Sequence, residues 1–183
     1  MTATIADLYR QRCSVWSDVQ GHLPTLYQLV VDGDAKVVVE LGVRSAVSTA
    51  ALLAGVDRTG GHLTSIDVHL APQDVYTPLK RAAGPAWSFI IGDDLAAIDQ
   101  LPAEIDLVFV DTSHTLAQTR AELAAYGPRS KVLALHDVEL EKPDASPPDD
   151  PPFPVRVAVD EYVAATGRSV EYHAGSYGLA IIR

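Results

Sequence analysis

Short apolar runs alternate with amphipathic stretches along most of the chain. Residues 37–39, 62–66, 87–91, 105–110 and 131–135 have the length and the β-branched or apolar content of buried strands. Helical patterns lie between them, and the last one begins near Pro154. Two further strands, 169–173 and 177–182, are joined by a Gly-containing turn and close the chain. This alternation predicts an α/β fold with a mostly parallel sheet and an antiparallel strand at the C-terminal end.

The segments at 1–33 and 139–154 differ from this pattern. Apolar side chains in residues 1–20, among them Ile5, Leu8 and Trp16, predict an amphipathic helix that ends at Gly21, and Pro24 can begin a second helix. We therefore expect a helical cap over 1–33, followed by a core over 34–183. Residues 139–154 are rich in proline and acidic side chains, and this predicts a loop over the carboxyl edge of the sheet. Both a substrate lid and a disordered bridge fit that composition.

Length and charge restrict the class of protein. A chain of 183 residues that is 48% hydrophobic suits one domain, 1–183. The net charge of −10 opposes binding to a phosphate backbone, so we expect no nucleic-acid partner. The single cysteine, Cys13, excludes an internal disulfide, and no apolar run reaches 18 residues. We expect a soluble cytoplasmic protein with no membrane partner.

The segment from Lys36 to Ala54 combines a strand, a turn and a helix N-terminus. The strand ends in Glu40 and Gly42, and the helix begins at about Val47. Such a turn forms a cradle for a small molecule at the carboxyl edge of a sheet. Arg44 and Val47 occupy positions where a dinucleotide fingerprint needs glycine, so the spacing argues against a nicotinamide or flavin cofactor.

The run from Glu40 to Ser48, E-L-G-V-R-S-A-V-S, resembles motif I of the class I S-adenosylmethionine-dependent methyltransferases. It has the E-L-G-x-x-x-G-x-S form of small-molecule O-methyltransferases. The resemblance implies a Rossmann-like sheet of seven strands with helices on both faces, and S-adenosylmethionine as the cofactor. It assigns Glu40, Gly42 and Ser48 to cofactor binding. Ala46 replaces the last glycine of the motif, and we expect its methyl group to crowd the methionine end of the cofactor.

Two acidic residues follow the next strands. Asp67 ends the second strand, where a carboxylate can accept hydrogen bonds from both ribose hydroxyls of a nucleoside, although simple solvation is an alternative. Asp93 follows the third strand. The resemblance implies that Asp93 binds the exocyclic amine of the adenine, and the residue can equally cap the following helix.

The ends of the fourth and fifth strands carry the remaining candidates. The run I-D-L-V-F-V-D-T-S-H, which ends in Asp111 and His114, resembles motif IV of a subgroup with catechol O-methyltransferase, sugar O-methyltransferases and cephalosporin hydroxylase-like proteins. That resemblance implies metal binding by Asp111 and a catalytic base at His114. The alternative is a structural role, in which His114 caps the following helix or bonds Asp111. His136 and Asp137 complete a candidate metal set. Oxygen ligands favour Mg²⁺, whereas participation by His136 favours Mn²⁺, Fe²⁺ or Zn²⁺.

These features predict an S-adenosylmethionine-dependent methyltransferase that O-methylates a small hydroxylated metabolite, such as a sugar, a phenol or a natural-product intermediate, with a possible role for Mg²⁺. A non-catalytic or regulatory nucleoside-binding protein with the same fold is the alternative. A hydroxylase using His114, His136 and Asp111 is a third possibility, which the intact cofactor motif disfavours. An apolar N-terminal helix makes a homodimer plausible.

Overall fold

The computed structural model describes residues 3–183 and contains a seven-stranded sheet. The strands are β1 Val37–Leu41, β2 His62–Asp67, β3 Trp87–Ile91, β4 Ile105–Val110, β5 Ser130–His136, β6 Val170–His173 and β7 Leu179–Ile182. The α-helices are α1 Ile5–Cys13, α2 Leu23–Asp32, α3 Val47–Thr59, α4 Gln73–Ala83, α5 Asp94–Ala97, α6 Leu116–Tyr126 and α7 Pro154–Thr166. Every helix within residues 3–183 is too short or too polar to cross a bilayer.

The strands lie in the order β3-β2-β1-β4-β5-β7-β6. The first five are parallel, whereas β7 pairs antiparallel with both β5 and β6. The chain order reverses at β1 and β4, so their carboxyl ends flank the crevice in which open α/β sheets bind ligands. The predicted Rossmann-like fold, with its antiparallel C-terminal strand, is confirmed.

Side chains alternate between two hydrophobic cores, one on each face of the sheet. Phe109 belongs to the core beneath α1 to α4, and its neighbour Val108 belongs to the core beneath α5 to α7. Both side chains are fully buried. Since successive residues of a strand point to opposite faces, a run of apolar residues without polar alternation is what a strand covered on both sides requires.

The N-terminal segment differs from its prediction. The first helix ends at Cys13 and not near Gly21, and a short 3₁₀ turn at 20–22 leads into α2. The Ser14 hydroxyl bonds the Arg10 carbonyl at the helix end. Trp16 is 81% exposed, so its apolar side chain does not belong to a packed helical face. The pattern was wrong here because it counted Trp16 as part of a buried stripe.

The carboxyl edge of the sheet carries two irregular segments. Residues 137–153 contain no helix or strand, and the Asp150 carboxylate accepts a hydrogen bond from the Leu116 N–H at the start of α6. The turn between β6 and β7 is longer than predicted, because Ser176 and Tyr177 have φ values of +47° and +61°. Those left-handed conformations cannot continue a strand, and β7 therefore begins only at Leu179.

Candidate active site

The motif I turn brings the backbone of β1 against the end of β4. Gly42 has φ of +83°, and a Cβ atom there would lie 2.6 Å from the carbonyl carbon of Asp111. The Asp111 N–H donates to the Leu41 carbonyl, which fixes this approach. Glycine is therefore required at position 42 both by its conformation and by the space available.

Glu40 lies beneath the turn and is fully buried. Its carboxylate accepts hydrogen bonds from the hydroxyls of Ser48, Thr49 and Ser65, at 2.6 to 3.0 Å. Burial raises the pKa of Glu40 to about 7, although the three hydroxyl hydrogen bonds act in the opposite direction. This carboxyl group connects β1, β2 and the start of α3.

A cavity of about 450 Å³ opens at the carboxyl edge of the sheet. This volume is within the range of about 300 to 1,000 Å³ that is usual for small-molecule sites. Six of the nine predicted site residues line it, namely Gly42, Ser48, Asp67, Asp93, Asp111 and His114. The other three, Glu40, His136 and Asp137, are buried and are not among its lining residues.

Ala46 has φ of +53°, which explains why glycine suits this position in the related motif. Its side chain is fully buried within the core that also contains Val47 and Ala50. The methyl group is therefore directed into the protein, and Ala46 is not among the residues that line the cavity. The position of this methyl group therefore does not support the crowding expected from the sequence, which stays a prediction for the bound cofactor.

Asp67 and Asp93 both bond backbone N–H groups at the cavity wall. One carboxylate oxygen of Asp67 accepts hydrogen bonds from the N–H groups of Val43 and Arg44, at 2.8 and 2.9 Å. Asp93 caps α5 by accepting from the Ala96 N–H at 2.9 Å. Asp67 thus holds the motif I turn in place, and Asp93 fills the capping role that the sequence left open.

Four ionisable side chains meet where β4 and β5 end. Nε2 of His114 lies 3.0 Å from Oδ1 of Asp111 and 3.1 Å from Oδ2 of Asp137. Nδ1 of His136 lies 3.3 Å and 3.2 Å from Oδ1 of the same two aspartates. Asp111, His136 and Asp137 offer ligand atoms that all lie within 4.8 Å of one another. The structure therefore brings together the four residues that were predicted for metal binding and proton transfer.

The charges of this cluster offset each other. Burial works against a charged His136, but hydrogen bonds to Asp111 and Asp137 outweigh it and raise its pKa to about 10. Burial also works against a charged His114. The hydrogen bond to Asp111 outweighs this effect, so the pKa of His114 is raised as well. The two histidines in turn hold the pKa of Asp111 well below its usual range, despite burial. Two imidazolium groups can thus neutralise two carboxylates.

Further residues of the site were missed in the sequence. Gln118 lines the cavity, and its amide donates to Asp94 at 3.1 Å and to Glu122 at 3.0 Å. Burial raises the pKa of Glu122 to about 7. Arg44 bonds both carboxylate oxygens of Asp18 at 2.7 and 2.5 Å and so attaches the N-terminal segment to the motif I turn. No local sequence signal distinguishes these polar residues from solvated ones.

Comparison with known proteins decides the family. Residues 39–138, more than half of the chain, match the model of a family described as a methyltransferase domain. The chain belongs to this methyltransferase family. The recognition of a class I methyltransferase from motif I is thereby confirmed. No curated protein sequence matches this methyltransferase significantly.

Solved structures share the fold of this methyltransferase at low sequence identity. The methyltransferase PaMTH1 of Podospora anserina, bound to S-adenosylhomocysteine, matches with a TM-score of 0.66 at 16% identity over 98% of this chain and 86% of its own. An O-methyltransferase of Bacillus cereus in complex with S-adenosylhomocysteine gives 0.64 at 16% identity, over 97% and 89%. TomG of Streptomyces achromogenes, an O-methyltransferase of tomaymycin synthesis in complex with S-adenosylmethionine, gives 0.66 at 16% identity, over 100% and 90%.

Proposed function

We propose that this methyltransferase transfers a methyl group from S-adenosylmethionine to a hydroxyl oxygen of a small metabolite. One observation carries the proposal: a single cavity joins the motif I turn, with Asp67 and Asp93, to the cluster of Asp111 and His114. The cofactor-bound O-methyltransferases of the same fold support a cofactor at the first group of residues. The second group then lies where an acceptor oxygen can be deprotonated.

The residues present fit such a cofactor. Asp67 ends β2, and within residues 3–183 its Oδ1 atom has one protein partner, the N–H of His69, so a further acceptor position is available for a ribose hydroxyl. The backbone at Gly92 also borders the cavity, and a Cβ atom there would meet nothing within 4 Å. When bound, S-adenosylmethionine supplies an electrophilic methyl group on a sulfonium. The protein's task is then to align the acceptor and to exclude water.

His114 is the group that we assign to proton removal. Carboxylates only accept hydrogen bonds, so the contacts to Asp111 and Asp137 require that Nε2 of His114 carries a proton. Proton removal requires the neutral ring, in which Nδ1 has the free lone pair and accepts the proton of an acceptor hydroxyl. The raised pKa of His114 shifts this neutral form to higher pH. A positioned base of this kind contributes roughly 10² to 10⁴ in rate.

We further propose that Asp111, Asp137 and His136 hold a divalent metal ion. The donor set fits, since two carboxylates and a ring nitrogen converge within 4.8 Å. A metal ion bound there supplies positive charge that lowers the pKa of a nearby hydroxyl. The sequence left the ion open between Mg²⁺, for oxygen ligands alone, and Mn²⁺, Fe²⁺ or Zn²⁺, where His136 takes part. That the protein forms a homodimer and that its methyl acceptor is a small molecule are also predictions from the sequence.

Isothermal titration with S-adenosylmethionine and S-adenosylhomocysteine, followed by turnover on a panel of phenols, catechols and sugars, tests the proposed function. We expect micromolar binding of both cofactor forms and O-methylated product from at least one acceptor, identified by mass spectrometry. TomG acts in a natural-product synthesis, so hydroxylated natural-product intermediates belong in the panel. Absence of cofactor binding would contradict the proposal, and binding without turnover on every acceptor would favour a nucleoside-binding role.

A further inference from the structure

His136 presents only one of its ring nitrogens to the carboxylates at the ends of β4 and β5. Its Nε2 atom lies 2.8 Å from the carbonyl oxygen of Ser176, in the turn between β6 and β7. A carbonyl oxygen only accepts hydrogen bonds, so Nε2 carries a proton. Nδ1 faces the carboxylates of Asp111 and Asp137, which also only accept, so it carries a proton in the metal-free protein. Because Nε2 keeps its proton on the Ser176 carbonyl, Nδ1 is the nitrogen available to a metal ion that displaces the Nδ1 proton.

The turn that supplies this carbonyl is built at an energetic cost. Four consecutive residues, 175–178, have φ values between +47° and +84°, and the central two are Ser176 and Tyr177. A left-handed conformation of a residue other than glycine is strained and persists only where the surroundings enforce it. Such strained backbone is concentrated at functional sites.

Contacts from two other parts of the chain enforce the turn. The Gly21 N–H donates to the Ser176 hydroxyl at 3.2 Å, and Nε2 of His22 lies 2.7 Å from the Gly175 carbonyl. The Glu139 N–H donates to the carbonyl of Tyr177 at 2.7 Å. These bonds fix the position of the Ser176 carbonyl relative to the end of β5.

The ring of His136 is also fixed by packing. The side chain of His136 is 1% exposed, and the ring of His22 packs edge-on against it with the centroids 5.8 Å apart. A buried ring with one nitrogen bonded and one edge covered cannot turn its Nε2 atom toward the carboxylates without breaking both contacts. The cluster therefore presents one ring nitrogen of His136 and two carboxylates to a metal ion.

We infer that Asp111, Asp137 and Nδ1 of His136 form a centre selective for a transition-metal ion, such as Mn²⁺, Co²⁺ or Zn²⁺, over Mg²⁺, and that the 175–178 turn sets this selectivity. Imidazole nitrogen suits first-row transition metals, whereas Mg²⁺ prefers an all-oxygen set. The inference rests on the proposed function, since it concerns the same divalent-metal centre. It selects a transition-metal ion where the sequence had left both Mg²⁺ and transition metals open.

Metal binding to the cofactor-free protein tests the inference without any methyl transfer. Isothermal titration should give at least tenfold tighter binding of Co²⁺ and Mn²⁺ than of Mg²⁺. The visible absorption of bound Co²⁺ should change when His136 is replaced. His136→Asp should lower the ratio of Co²⁺ to Mg²⁺ affinity at least tenfold while Mg²⁺ still binds. His136→Gln, which lacks a ring nitrogen, should lower Co²⁺ affinity at least tenfold and serves as the second variant where His136→Asp does not fold.

The contribution of the turn is tested with a matched pair of glycines. A Cβ atom at Gly178 would lie 2.6 Å from the Glu139 side chain, whereas one at Gly167, also left-handed at φ of +72°, meets nothing within 4 Å. Gly178→Ala should weaken Co²⁺ binding at least threefold and alter its spectrum, and Gly167→Ala should do neither. Circular dichroism confirms that each variant is folded.

Three results would overturn the inference. The first is Mg²⁺ binding as tight as Co²⁺ binding in the unaltered protein, and the second is no measurable binding of any of these ions. The third is loss of selectivity in His114→Ala with selectivity retained in His136→Gln, because His114 would then supply the nitrogen. Failure of the proposed function is separate, since it would show as absent methyl transfer with the metal-affinity ratios unchanged.

Discussion

The α-carbon of Gly42 approaches the main chain of Asp111 so closely that no side chain fits between them. A Cβ atom at position 42 would lie 2.6 Å from the carbonyl carbon of Asp111 and 3.2 Å from the N atom of Thr112. This contact joins the turn assigned to cofactor binding to the residue assigned to the metal. A change at Gly42 should therefore affect both halves of the site.

Gly42→Ala tests this contact, and Gly60→Ala is its control. Both glycines have left-handed φ values, +83° and +70°, but a Cβ atom at Gly60 meets nothing within 4 Å. We expect Gly60→Ala to lower the free energy of unfolding by about 1 to 2 kcal/mol from backbone strain alone. Gly42→Ala should lose about 1 to 3 kcal/mol more from overpacking, and at least tenfold in S-adenosylmethionine affinity. Urea denaturation and titration calorimetry measure both, and equal effects of the two substitutions would contradict the close approach.

Asp67→Ala should weaken binding of S-adenosylmethionine at least tenfold, which corresponds to about 1.4 kcal/mol. Asp67 already holds the N–H groups of Val43 and Arg44, so weaker binding alone could result from a displaced turn. The 2′-deoxy analogue of S-adenosylhomocysteine separates the two causes. If Asp67 binds the ribose, removal of the 2′-hydroxyl should weaken binding to the unaltered protein and have little effect on Asp67→Ala.

The outcome that removes the ribose assignment is an equal loss of affinity for the deoxy analogue in both proteins. Asp67 would then act only through the turn that it holds. Asp93→Ala offers a comparison at the neighbouring strand end, because Asp93 also bonds backbone, at the Ala96 N–H, and lines the same cavity.

The central strands of the sheet could be predicted from sequence because they are covered on both faces. β4 begins and ends where its apolar run does, at Ile105–Val110, and its last four residues are all buried. Burial of both faces favours apolar residues along such a stretch, so the polar residue that follows, Asp111, marks its end. The end of the first helix carries no such mark in the sequence, because Trp16, which lies beyond it, is apolar and yet exposed.

The cluster of ionisable side chains at the ends of β4 and β5 could be predicted only in part from the sequence. Asp111 and Asp137 end neighbouring parallel strands, which places their carboxylates together by topology alone. The contacts of His136 with Ser176 and His22 depend on the packing of chain segments that lie 40 and 114 positions away from it. No local pattern encodes contacts at such separations, so their discovery required the structure.

His114→Ala should lower turnover by roughly 10² to 10⁴ and leave S-adenosylmethionine affinity unchanged, because a base acts on the acceptor and not on the cofactor. His62→Ala is the control. His62 starts β2 at the opposite edge of the sheet, where its ring bonds the Ser88 hydroxyl at 3.0 Å. Steady-state kinetics with saturating cofactor and calorimetry measure the two quantities. A parallel loss of turnover and cofactor affinity would show that His114 instead supports the structure of the site.

Glu40 gives a prediction for the pH dependence of stability. Its pKa is raised from an ordinary value of 4.5 to about 7 in the folded protein, chiefly by burial. Between these values the folded protein retains a proton that the unfolded chain releases, so the free energy of unfolding falls as the pH rises. Above pH 7 the loss of stability caused by Glu40 is complete and is of the order of 3 kcal/mol.

Glu40→Gln removes this titration, so the variant should become more stable relative to the unaltered protein as the pH rises from 5 to 8. Urea denaturation of the cofactor-free proteins across that range measures the difference. Glu122→Gln should act in the same direction, because the pKa of Glu122 is also raised to about 7 by burial. The two carboxyls lie in separate hydrogen-bond networks, so their effects should add. If Glu40→Gln changes stability by the same amount at pH 5 and pH 8, Glu40 is ionised in the folded protein throughout, and its three hydroxyl partners outweigh its burial.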